Sequence, residues 1–69
     1  MSYRNVHHKW ARSRGGPTNR WNCCKVNSKL HMYWHAMFGN LTGEEIAREI
    51  NSRWLDPRFE LIVIPRKDR

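Results

Sequence analysis

Val6 to Asn40 reads VHHKWARSRGGPTNRWNCCKVNSKLHMYWHAMFGN, and the order of its parts decides the fold. Tyr3 to Lys9 has the composition of a short strand, and residues 10–20 that follow are turn-forming throughout. Gly15-Gly16-Pro17 with Thr18-Asn19 forces a reversal and forbids a helix. Trp21 to Val26 can then return as a second strand, antiparallel to the first. SKLHMYWHAMF, residues 28–38, fits a helix with Ser28 at its N-cap and Gly39-Asn40 as its stop. Leu30, Trp34 and Phe38 or Met37 form one apolar stripe of that helix; His31 and His35 form the neighbouring one.

Outward from this core, Thr42-Gly43-Glu44-Glu45 is a capping-box pattern ahead of Ile46, Ala47, Ile50 and Trp54 at helical spacing. Asp56-Pro57 ends that helix, and Phe59 to Ile64 is apolar and β-branched enough for a closing strand. The expectation is a single small α+β domain over residues 1–69. Its ββα core spans 3–40, and a further helix and a C-terminal strand occupy 41–69. The four tryptophans read as core rather than as stacking platforms. A helix-turn-helix is excluded, because no recognition helix follows the one at 43–54.

All four histidines fit one scheme. His31 and His35 lie four residues apart, so on a helix they share a face and can bind one ion from the same side. His7 or His8 brings a third nitrogen from a distant segment, which leaves the other as a base. Three imidazoles with an open position suit a catalytic metal site. The ion would also stabilise a chain of only 69 residues, whose core is small. No Asp or Glu occurs before Glu44, so a tightly bound, protein-only oxygen cage is not expected in the first half. Imidazole favours zinc, nickel, copper or cobalt; magnesium or manganese would need phosphate and water to complete the shell.

Charge points to the substrate. The net charge is +7, and the seven bases of residues 1–43 (Arg4, Lys9, Arg12, Arg14, Arg20, Lys25, Lys29) meet no acid there. Residues 44–69 hold six acids and six bases. A basic half that also carries the histidines suits a polyanion such as DNA. Lys9, Arg12, Arg14, Arg20, Lys25 and Lys29 are the candidate phosphate contacts. Cys23 and Cys24 are adjacent, point to opposite faces of a strand, and read as small strand residues. Neither a secretory signal nor an apolar run near 18 residues is visible, and the expectation is a cytoplasmic protein with no membrane partner.

With those residues in place, the segment resembles the HNH nuclease motif, the ββα-metal finger. It is most similar to the colicin-type DNase version, with paired histidines on the first strand and RGG in the loop. An asparagine stands nine residues before one helical histidine, and a second histidine follows four later. The resemblance implies a metal-dependent DNA endonuclease, nicking or cutting both strands, with one divalent ion on His7, His31 and His35. It makes His8 the general base and Asn22 the residue that pins the loop and so orients His8. It also implies that His7 and His8 flank one phosphate, although neighbours on a flat strand face opposite ways. Where colicin-type proteins carry an acid two residues before the histidine pair, this chain has Asn5; where many members carry proline, it has Ala11. The positions of a second Cys-x-x-Cys pair are Asn27 and Leu30, which excludes that structural zinc. Small free-standing proteins of this kind resemble phage or mobile-element products. Two rival readings follow: a metal-stapled module that binds nucleic acid or a host protein without cutting, and a subunit active only within a larger phage or host complex.

Overall fold

The computed structural model describes residues 3–67. Two antiparallel strands, β1 (Arg4–His8) and β2 (Cys23–Asn27), precede two helices, α1 (Ser28–Phe38) and α2 (Gly43–Arg53), an α+β arrangement. The register pairs Arg4 with Asn27 and His8 with Cys23. The second strand starts two residues later than Trp21, because Trp21 and Asn22 belong to the turn that feeds it. The chain passes from β2 into α1 without a loop, so the helical histidines are fixed directly to the sheet.

Asn27, not Ser28, caps α1. Its side-chain oxygen accepts from the backbone N–H groups of Lys29 (2.9 Å) and Leu30 (3.2 Å). Ser28 is already helical, and its own N–H donates to the Tyr3 carbonyl, one last link to β1. An amide oxygen satisfies two of the unpaired donors of a helix start, which is why the strand residue outcompetes the serine. The second helix begins as its sequence demands. The Thr42 side chain accepts from the Glu45 N–H, and Glu45 reaches back to the Thr42 N–H, a complete capping box. The carboxyl of Glu45 is held below its ordinary range, first by those bonds to Thr42 and then by Arg14.

The loop between the strands is built around Asn22, which is only 1% exposed. Its side-chain oxygen accepts from the Trp10 N–H (2.8 Å), and its amide donates to the carbonyls of Trp10 (3.0 Å) and Pro17 (2.8 Å). The Lys9 N–H donates to the Asn22 carbonyl, continuing the ladder past His8. Inside this knot a short 3-10 turn at Arg12–Arg14 ends on Gly15, whose φ of 96° favours glycine. Gly16 is needed for space. A Cβ there would lie 1.9 Å from the Trp10 carbonyl oxygen, and backbone cannot yield as a side chain can. Gly16→Ala is therefore expected to destabilise the fold by about 3 kcal/mol, the upper end of typical overpacking costs. Chemical denaturation checks this, and an unchanged midpoint would contradict the close approach.

Three expectations are corrected. Phe59 to Ile64 joins no ladder: among the described residues the sheet has two strands, and this stretch lies outside it. The tryptophans are not core. Trp10, Trp21 and Trp54 are exposed, and only Trp34 is half-buried. Leu30 and Met37, placed on the apolar stripe of α1, are exposed too. The physical reason is size: among the described residues the buried apolar ones are Phe38 and Ala47, too little interior to enclose four indoles. No helix among the described residues is long and apolar enough to cross a membrane.

Candidate metal centre

His7 comes from β1, and His31 and His35 come from successive turns of α1. One ligand nitrogen from each lies within 4.8 Å of the other two, so the three can hold a metal ion. The Nε2 atoms of His31 and His35 are 3.0 Å apart. Tetrahedral zinc with bonds of about 2.0–2.1 Å would separate two ligand nitrogens by about 3.3 Å. The helical pair therefore needs little movement to share an ion. The His7 ring stands edge-on to His31 (5.2 Å between centroids) and to Trp34 (5.6 Å), which wedges it against α1. Its Nδ1 is buried without a hydrogen-bond partner among the described residues, so one nitrogen of the cluster is left unsatisfied by protein. An orphaned ring nitrogen among three convergent imidazoles fits a cation.

Electrostatics support ligation. Burial pushes the His7 pKa below its usual value, and the nearby His31, His35, His8 and Lys9 lower it further. The neutral imidazole is the form that binds metal. The sign of the stability effect follows. Below about pH 6.5 the unfolded chain takes up a proton at His7 that the folded chain resists, so stability falls as pH drops through that range and gains nothing from this group above it. Chelated protein is expected to melt at a lower temperature at about pH 5.5 than at about pH 7.5. The difference should shrink in His7→Ala; an equal difference in that variant would contradict the assignment.

His8 lies on the same cavity, a hollow of about 560 Å³ lined also by His7, His31, His35, Lys9 and Arg12. Neighbours on one strand share it because His8 is the last residue of β1, in a two-stranded ribbon, where twist is large. The His8 Nε2 lies 2.9 Å from the Thr18 hydroxyl. Sequence reasoning missed Thr18, and nothing marks it there: it sits in an irregular loop ten residues from its partner. Trp34, which holds the His7 ring, was assigned only to the apolar stripe.

The candidate phosphate contacts divide. Lys9 and Arg12 line the cavity. Arg14 is engaged elsewhere, donating to the Asn40 carbonyl and pairing with Glu45 at 3.2 Å, so it ties the loop to the start of α2. Arg20, Lys25 and Lys29 are exposed but do not line the cavity. Both cysteines are free and half-buried on β2. Among the described residues Asn22 hydrogen-bonds to no histidine and does not line the histidine cavity; its side-chain bonds hold Trp10 and Pro17, the chain on either side of the loop.

Comparison with family models, with curated proteins and with solved structures found no match to the chain.

Proposed function

We propose that the chain is a metal-dependent endonuclease of the HNH type that hydrolyses DNA phosphodiester bonds. The observation that carries this reading is the convergence of His7, His31 and His35 beside a fourth histidine, His8, in a cavity walled by Lys9 and Arg12. His7, His31 and His35 would hold the ion, and zinc, nickel, manganese and magnesium are the candidates. When bound, a divalent ion supplies positive charge that stabilises the crowded phosphorus centre and the departing oxygen.

The remaining steps belong to the side chains. In the tautomer whose Nε2–H donates to the Thr18 hydroxyl, the lone pair of His8 falls on Nδ1, the atom that would take the proton of an attacking water. The water oxygen bonds to phosphorus as the bond from phosphorus to the 3′ oxygen breaks, and the departing oxygen takes a proton from solvent, giving a 3′ hydroxyl and a 5′ phosphate. Lys9 and Arg12 attract the strand and orient its phosphate. Asn22 acts at a distance, fixing the Trp10 end of the loop immediately after His8-Lys9 and so keeping the base in place.

Supercoiled plasmid incubated with the protein and each divalent metal tests the reading. Nicked or linear product with 5′ phosphates, abolished by chelator, is expected. DNA binding without cutting under any metal would replace the nuclease with a non-catalytic binding module.

A further inference from the structure

Phe59 to Arg66 is exposed throughout and runs without helix, turn or bend, yet pairs with no strand among the described residues. One residue of it is pinned. The Leu61 N–H donates to Asn51 Oδ1 (2.8 Å), and Asn51 Nδ2 donates to the Leu61 carbonyl (3.0 Å). A side-chain amide on α2 thus imitates one rung of a ladder. In an extended chain the N–H and C=O of one residue share an edge, and those of the next residue face the opposite edge. Side-chain exposure alternates with the same period: Leu61 46% and Val63 45% against Ile62 72% and Ile64 77%. Val63 leans over Gly43 at the start of α2. An extended chain with Leu61 on the Asn51 edge presents the backbone groups of Glu60, Ile62, Ile64 and Arg66 on the other edge, and no backbone hydrogen bond to a described residue uses them.

We infer that this edge pairs antiparallel with the same edge of a second copy of the chain, about a two-fold axis at Val63. The alternation restricts the register, because hydrogen-bonded pairs must join even-numbered residues. With the axis at Val63, Ile62 stands opposite Ile64 of the second copy, and Glu60 stands opposite Arg66 of the second copy. Each such pair exchanges both of its N–H···O=C bonds. A β-branched pair fills the middle, and opposite charges close both ends. Pro65 has no N–H, but it falls on the Asn51 edge and interrupts nothing. Moving the axis to Ile62 would set Arg66 against Arg58, a like-charge pair outside the extended stretch.

Charge selects a second copy over a charged partner. The excess positive charge lies in residues 1–43, while residues 44–69 carry six acids and six bases. The edge carries Glu60 at one end and Arg66 at the other, so an antiparallel second copy sets each against its opposite charge and the isologous contact satisfies itself. It also covers an open apolar edge of the sort that otherwise recruits strands indiscriminately.

Sedimentation velocity of the full chain over a wide concentration range is the test. Wild type should pass from the 8.4 kDa species to one of about twice that mass. Ile62→Pro removes an N–H from the proposed edge without touching Asn51 and should remain monomeric. Glu60→Arg and Arg66→Glu should each raise the dissociation constant several-fold, and the double exchange should restore it. If Ile62→Pro disturbs the circular dichroism spectrum, the charge exchange decides alone. A monomer at every concentration, or a dimer indifferent to the charge variants, overturns the proposal.

Discussion

His8→Ala is expected to reduce plasmid cleavage by a factor on the order of 100 to 10,000, the range for loss of a positioned general base. Bound metal, melting temperature and DNA affinity should change little. His8 is not one of the three histidines that could hold the ion, and its hydrogen bond, to the Thr18 hydroxyl, is exposed. Such a bond contributes about 1 kcal/mol or less to folding. His7→Ala should behave oppositely and lose metal and stability together. Equal cutting by wild type and His8→Ala would show that another group takes the proton, or that the activity belongs to a contaminant.

The second large effect concerns the fold itself. Among the described residues the buried apolar ones are Phe38 and Ala47, while His7 on β1 faces His31 and His35 on α1. An ion between those elements would cross-link sheet and helix where apolar packing is thin. At free metal about 100 times the dissociation constant, binding contributes about 2.7 kcal/mol. For a domain of this size that corresponds to roughly 10–20 °C in melting temperature. Exhaustive chelation should remove that increment, and His31→Ala should melt at the chelated temperature whether or not metal is added. A melting curve unmoved by chelation would mean that the cluster does not staple the fold.

Much of the path from sequence to site was legible because it rests on local rules. The i, i+4 spacing puts His31 and His35 on one face of α1 whatever the helix packs against, and the capping box at Thr42 needs only its own four residues. The glycine-rich loop likewise announced a reversal, with Gly15 at positive φ. The asparagine that pins it carried a signal only through its place in the motif. What stayed hidden depends on tertiary context. Asn27 displaced Ser28 as the cap because the strand runs directly into the helix, a junction that residue preference alone does not reveal. Phe59 to Ile64 has strand composition, but a ladder requires a neighbour, and Leu61 finds only a side chain of α2. The tryptophans read as core by hydropathy, whereas the actual interior is too small to enclose them. That His7 and His8 share a cavity follows from the end of a short ribbon, not from the alternation of a flat strand.

Equilibrium metal binding followed by cobalt(II) absorption tests the central claim most directly, since the three-histidine centre underlies both the stability and the chemistry. One cobalt per chain is expected, with the intense visible bands of a low-coordinate nitrogen site. Those bands should be lost on adding chelator, absent in His31→Ala and His35→Ala, and retained in His8→Ala. Failure to bind cobalt or zinc, or binding that survives loss of both helical histidines, would contradict it.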